Sequence, residues 1–414
     1  MTRAPGPQGG FIWGSLPAFK ADALGFLTSA VRDHGDIVRL RFGPITAHLI
    51  NRPEYVEHVL SRHGANFDKA TRSAKRIAAT TGNSLLSADQ PAWQRHRRLI
   101  QPAFQPRSFD GIAPVLDALI APMLDRWERV KEIDIVDEMM RLVISAAIKT
   151  LFSADIAPER ISAPLEVLLG DTWRRIEAPL DASLLSKHLH RPAFKSALAQ
   201  IDAIVLELVQ ARRRTANRPD DVLSRLLAAH EEAGEAQLSD PELRDAAVTL
   251  LLAGHETTAN ALTWACIHGV DWPAADPAHL FAEAIRLHPS IWVIERRAIA
   301  ADVIGGFDIP RGSSVLISPY LLHRHPDFWP DPERFDPNRF ANGLPRPRDG
   351  YLPYGLGAHR CVGLHLANKM AEQILTRIRE RVSLRLVPDQ PLGAIAQITL
   401  QHAAPVMMRV VDRS

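Results

Sequence analysis

The stretch "YGLGAHRCVG", residues 354–363, decides the reading of this chain. It sets one of only two cysteines, Cys361, behind two glycines, Gly355 and Gly357, and a cationic pair, His359 and Arg360. Gly363 follows two residues later. No second thiol is near enough for a disulfide or a C-x-x-C metal clip. Downstream, "VGLHLANKMAEQILTRIRER" repeats Leu366, Met370, Ile374 and Ile378 every four residues, which marks one buried helix face. Cys361 therefore stands at a helix N-terminus, where unpaired amide N–H groups and the positive end of the dipole stabilise a thiolate. Gly363 lets backbone approach the sulfur, and the upstream glycines permit a tight turn. A thiolate held this way is a metal ligand or a nucleophile. A buried structural cysteine is the plain alternative. A cysteine hydrolase would need a partner histidine, and none of the 17 histidines is marked for that role.

The rest of the chain supplies the context. Its 414 residues can bury a large core, and 46% hydrophobic with 23% charged residues is an ordinary globular composition. A net charge of +2, without a dense Lys/Arg run, gives no pull toward nucleic acid. The two cysteines, Cys266 and Cys361, make no disulfide framework, so a reducing, cytoplasmic compartment is expected. Cys266 reads as a small core residue. The Pro/Gly-rich start lacks the apolar segment of a secretory signal, and stretches such as "AAVTLLLAG" (246–254) are about half of what a bilayer needs. No membrane anchor is expected.

Helical periodicity dominates. Helices are expected over 21–35, 53–64, 91–103, 110–130, 137–153, 197–215 and 219–232, and a long one is expected from the cap Ser239-Asp240-Pro241 to about 268. Alternation around Gly43-Pro44 predicts a hairpin over 36–51, and strand signals return at about 292–318 and 383–411. The expected fold class is α+β: mainly α with small β-sheets, as one domain over 1–414.

Four more stretches carry chemistry only in combination. "AGHETT" (253–258) lies in the long helix; Ala253 and Gly254 leave room beside it, and Glu256 with Thr257 offers an acid and a hydroxyl. "EAIR" sets Glu283 and Arg286 on one helix face. "PERF" stands at 332–335. "WQRHR" puts Trp93 and Arg97 on one face, where a guanidinium can bind a carboxylate bidentately beside an indole N–H. Taken singly, each is more simply a surface feature.

Together they resemble the cytochrome P-450 family. The cysteine loop matches its ligand signature F-x-x-G-x-[RH]-x-C-x-G through Gly357, His359, Cys361 and Gly363, with Tyr354 replacing the usual Phe. The resemblance spans nearly the whole chain. It implies a haem-thiolate monooxygenase with haem b seated between the long central helix and the cysteine loop. Cys361 would be the axial iron ligand; Trp93, Arg97, Arg297 and His359 would hold the propionates. Glu256 and Thr257 would deliver protons for dioxygen activation. Arg334 of "PERF" would complete a structural triad with Glu283 and Arg286.

The same resemblance places Leu86, Ala253, Ile291, Val293 and Ile294 at the pocket for a hydrophobic small molecule, within the segments 73–88, 170–195, 250–254, 291–294 and 396–397. No flavin or iron–sulfur module is visible, so NAD(P)H electrons would arrive through a separate ferredoxin and ferredoxin reductase. Arg95, Arg98, Arg107 and Lys369 could form a basic docking face for them. Two rival readings are a peroxygenase using hydrogen peroxide and a non-catalytic haem sensor or carrier. Peroxygenases of this family tend to lack the acid–Thr pair, and a carrier needs no proton relay. One departure stands out: between "AGHETT" and "EAIR" the chain is shorter than the family usually is, which implies trimmed or missing helices there. Terpenoid, fatty acyl, aromatic and polyketide substrates all remain open.

Overall fold

The computed structural model describes residues 2–178, 191–231 and 238–412. Helices α1 (Leu16–Ala21), α2 (Ala23–His34), α3 (Pro53–Glu57), α4 (Arg72–Thr81), α5 (Ala92–Ile100), α6 (Ile112–Val130), α7 (Ile135–Phe152) and α8 (Glu159–Glu177) come first. They are followed by α9 (Pro192–Arg214), α10 (Val222–Glu231), α11 (Asp240–Gly269), α12 (Pro277–Leu287), α13 (Pro319–Leu322) and α14 (Leu364–Arg381). Helix α3 continues as a π-helical turn, His58–Arg62.

The central helix α11 starts where its cap predicts. The Ser239 backbone N–H donates to Glu242 at 2.9 Å, and the Glu242 N–H donates back to the Ser239 hydroxyl at 3.4 Å. Most of its length is buried, and it lies along α7. Gly254 faces Ala147 and Leu151 of α7, where an added Cβ would make ordinary contacts at 3.9 and 3.7 Å.

A five-stranded sheet has the order β1-β2-β8-β5-β3, from β1 (Ile37–Phe42), β2 (Ile45–Ile50), β3 (Phe67–Asp68), β5 (Ile294–Ala298) and β8 (Ser314–Ile317). The β1–β2 hairpin turns at Gly43, which takes φ +60°. Strands β4 (Glu132–Asp134), β12 (Met407–Asp412) and β9 (Val382–Leu386) form a second sheet. Two hairpins pair β6 (Asp302–Ile304) with β7 (Phe307–Ile309), and β10 (Ala394–Ala396) with β11 (Leu400–His402).

The expected mainly helical class with small sheets is what the structure has. Helices α4 and α8 and the short strands β3 and β4 were not expected from the pattern. The first part of the expected pocket segment 73–88 lies in helix α4. Residues 179–190 of the expected pocket segment 170–195 lie outside the described residues, as does position 232 of the expected helix 219–232. Between α11 and α12 the chain runs through 270–276 without a helix, so the short connection is real in the fold. Arg379 of α14 donates to the carbonyls of Trp272 (2.5 Å) and Ala275 and pins it. No helix among the described residues is long and apolar enough to cross a membrane.

Candidate active site

The cysteine loop is built by conformation. Gly355 and Gly357 both sit at φ +70°, a region that L side chains avoid. At Gly357 a Cβ would also fall 2.0 Å from the Leu60 carbonyl oxygen, so the turn requires glycine twice over. The Cys361 N–H donates to the Tyr354 carbonyl at 2.9 Å and closes the loop. The extra hydroxyl of Tyr354 finds the Asn368 amide oxygen at 2.5 Å. At Gly363, the N-cap of α14, a Cβ would lie 3.9 Å from Cys361 Sγ, an ordinary contact. Closeness to the sulfur is therefore not what selects glycine there.

Cys361 keeps solvent access, yet its thiol is deeply set. Burial pushes the thiol up, while the N–H groups of Gly363 and Leu364 and the cations Arg97 and Arg360 favour the thiolate. Cys266 is a buried core residue, as expected.

Beside the loop, cations converge from three segments on the loop's own His359. Arg97 Nη1 donates to the Arg360 carbonyl at 2.7 Å. The Trp93 ring lies 3.9 Å from the His359 ring. Lys69 is buried, donates to the Leu85 carbonyl at 2.6 Å, and approaches the Trp93 ring at 5.7 Å. Arg296 completes the group. Burial, then the charges of Lys69, Arg296 and Arg97, pushes the His359 imidazole down to about 3. Burial, then Arg296, lowers Lys69 to about 7. His359 Nδ1 is buried without a hydrogen-bond partner among the described residues.

Cations held in mutual repulsion around an orphaned imidazole nitrogen require an anion. Together with a thiol at a helix N-terminus, these residues fit a haem with its two propionates.

Two expected residues are corrected. Arg297 turns away from this group and binds Asp68 at 3.0 and 2.5 Å, with 41% of its side chain exposed. Its neighbour Arg296 faces inward, because successive strand residues point to opposite faces. Arg334 is exposed and contributes only its carbonyl, to Arg286 Nη2 at 3.1 Å. The cation that joins the fully buried Glu283–Arg286 pair (2.6 and 2.8 Å) is Arg339, at 3.3 Å from Glu283. The sequence contains P-x-R-F twice, at 332–335 and 337–340, and the second copy turns inward on a 3₁₀ turn. Lys69 had no sequence signal beyond being a lone lysine.

On the central helix, Thr257 donates its hydroxyl to the Ala253 carbonyl one turn back at 2.9 Å, and Ser290 donates to the Thr257 carbonyl at 2.6 Å. Glu256 is 7% exposed and accepts a bond from the Gln401 amide. Burial raises its pKa, against the Thr399 hydroxyl and Gln401.

The expected pocket residues are dispersed. Leu86 and Ile291 are each 39% exposed, and Ala253 is half-buried. Ile294 packs into the core of the five-stranded sheet and Val293 into the cluster around Trp292. Of the expected docking face, Arg95 pairs with Glu242 and Lys369 with Asp110 at 3.3 Å, while Arg98 and Arg107 are exposed.

The chain matches the profile of the family described as Cytochrome P450 over residues 4–273 and 279–405. It belongs to the cytochrome P450 family. The break in the match falls at the short α11–α12 connection.

Among curated relatives, the cyclooctat-9-en-7-ol 5-monooxygenase of Streptomyces melanosporofaciens is 33% identical over 89% of this chain and 86% of that protein. The cyclooctatin synthase of the same organism is 31% identical over 93% and 90%. The pentalenene oxygenase of Streptomyces avermitilis is 26% identical over 93% and 92%. The fold is shared with a retinoic-acid-bound cyanobacterial CYP120A1, at TM-score 0.87 and 23% identity over the whole of both chains. The chain is accordingly an oxidoreductase of the P450 monooxygenase class.

Proposed function

We propose that this enzyme hydroxylates or epoxidises a cyclic terpene hydrocarbon or its mono-alcohol, taking one oxygen atom from O2. The relatives support the substrate class: three of them carry the names of oxygenases or synthases of pentalenene, cyclooctat-9-en-7-ol and cyclooctatin. Bound haem would supply dioxygen binding and O–O cleavage, which an axial thiolate favours. The protein's own residues do the rest.

Cys361 holds the iron side, its thiolate favoured by two backbone N–H groups and Arg97 and Arg360. Lys69, Arg97, Arg296, His359 and Trp93 hold the propionate edge. Thr257 presents its hydroxyl on the central helix, and Glu256, kept protonated more readily than an exposed carboxylate, stores the proton to be delivered. Glu283, Arg286 and Arg339 brace the core beneath. Electrons come from NAD(P)H through a separate ferredoxin and its reductase in the cytoplasm, docking near Arg98 and Arg107.

The observation that carries this reading is the convergence of Cys361 and His359 with cations from three other segments, Lys69, Arg97 and Arg296. The test is the dithionite-reduced, carbon-monoxide-exposed absorption spectrum. A strongly red-shifted Soret band that Cys361→Ala abolishes is the expected result. A folded protein whose band sits where a neutral axial ligand puts it would sink the thiolate role. Spin-state titration with pentalenene then tests the substrate class against a fatty acid.

A further inference from the structure

Glu256, Asn260, Trp264 and His268 recur every four residues along α11, so they share one face. Opposite them stand Thr399 and strand β11. Gln401 donates to Glu256. His402 Nε2 donates to the Asn260 carbonyl at 3.4 Å, which leaves its Nδ1 as an acceptor. The His402 ring stacks on Trp264 at 4.4 Å, and Trp264 stacks on His288 at 3.7 Å with the planes 6° apart. His288 and His268 share a hydrogen bond of 3.0 Å between their Nε2 atoms.

Along this seam both amide atoms of Asn260, Trp264 Nε1 and His402 Nδ1 have no hydrogen-bond partner among the described residues, and the Thr399 hydroxyl lies beside Glu256. Asn260 is 1% exposed, and Thr399 and Trp264 are 4% exposed. Buried polar atoms are normally satisfied, by ordered water where protein supplies no partner. Four such atoms in one contiguous seam, mixing donors and acceptors, describe a site for a short line of water.

We propose that the α11–β11 seam is a water-lined proton route, fed from solvent at His268, that recharges Glu256. The inference rests on the monooxygenase reading, in which Glu256 gives up a carboxyl proton.

The outer end lies where the chain is short. His268 is the last residue but one of α11, the exposed carboxylate of Asp271 acts on it, and the helix-free 270–276 connection follows. A helix in that connection would cover this end. At the inner end Gln401 holds one carboxylate oxygen of Glu256 and leaves the other to carry the proton. Glu166 of α8 adds a like charge that helps keep the carboxyl protonated.

Burial holds His268 and His402 down to about 4 and His288 lower still, so none of them stores a charge. His268 and His288 instead each take a proton at one ring nitrogen as they release one from the other, while His402, its Nε2 held by the Asn260 carbonyl, orients water at Nδ1. Trp264 stands between His288 and His402, so the proton passes at the ring edges through water that Nε1 orients. One proton enters from solvent, one leaves Glu256, and every group between ends with the protons it began with.

Two measurements on the haem-loaded protein test this. A crystal structure that resolves water should show at least one ordered water bonded to Thr399 Oγ1, the Asn260 amide and His402 Nδ1. A dry seam overturns the proposal. With a surrogate ferredoxin and reductase and pentalenene as probe, His402→Phe and Asn260→Leu should slow NAD(P)H consumption about tenfold or more, the low end for removing a proton-transfer group. The solvent deuterium isotope effect should rise, and His402→Gln should restore part of the rate. Unchanged rate and isotope effect in both variants overturn it. If His402→Phe does not fold, Asn260→Leu and the water structure still decide. The carbon-monoxide band, retained in every variant, separates failure of the route from failure of the thiolate reading.

Discussion

The cysteine loop and the cation rim beside it hold the same candidate cofactor by different means. The loop is contiguous: ten residues, two glycines at φ +70°, and one backbone bond that closes it. Its geometry is local and survives only if particular backbone angles do. The rim brings Lys69, Arg97 and Arg296 from three distant segments to the loop's His359; Arg296 faces inward by sheet register and Arg97 by helix phase. The five-stranded sheet pairs Arg296 with Val315 and Arg297 with Ser314, so one residue of parity separates an inward cation from an outward one. Local geometry fails by strain. Assembled geometry fails by losing a charge partner.

The largest effect should come from the assembled charges of the core. Arg286 and Glu283 are both fully buried, and removing one leaves the other uncompensated. Arg286→Ala should destabilise by about 3–5 kcal/mol, measured by urea unfolding. Arg339→Ala should cost less than that, and Arg334→Ala no more than about 0.5 kcal/mol, as for an exposed side chain. Equal losses from Arg334 and Arg339 would return the triad to the first P-x-R-F.

Next comes the loop. Gly357→Ala combines a forbidden contact with Leu60 and a positive φ, together worth about 2–4 kcal/mol. Gly355→Ala meets nothing within 4 Å and should cost only the φ penalty, about 1 kcal/mol. Thermal unfolding and the ratio of Soret to protein absorbance should rank the two in that order. Parity gives the third contrast. Arg296→Leu should lower haem retention several-fold after gel filtration, whereas Arg297→Leu, which breaks only a half-exposed pair with Asp68, should cost at most about 1 kcal/mol and leave haem in place.

These contrasts mark where sequence reading succeeds. The ligand loop was legible because its chemistry and its conformational demands fall in one short window. The cap of α11 and the hairpin at Gly43 were legible for the same reason. Arg296 and Arg339 were missed because an identical or near-identical candidate stood one or five residues away. Only tertiary register distinguishes them. Lys69 and the pairing of Gln401 with Glu256 had no local signature, since each depends on a segment distant in sequence.

The smallest effect follows from Lys69. In the haem-free protein, burial and then Arg296 lower its pKa from 10.5 to about 7, so the unfolded chain binds more protons than the folded one between those values. Stability must then rise with pH across that window, by about 1 kcal/mol per pH unit and no more than about 1.4. Near pH 7 the buried histidines, His359 among them, add a rise of the same sign as their unfolded forms finish losing protons, so the Lys69 share between pH 7 and 8.5 is the difference from Lys69→Met. The Cys361 thiol, raised from 9.0 by burial, works in the opposite sense only above that range. Urea midpoints of haem-free protein should therefore climb from pH 7 to 8.5, and Lys69→Met should flatten the climb. Haem should flatten it too, since two propionates offset the repulsion that holds the lysine down. A slope that survives haem binding unchanged would put Lys69 outside the propionate edge and leave the rim to Arg97, Arg296 and His359.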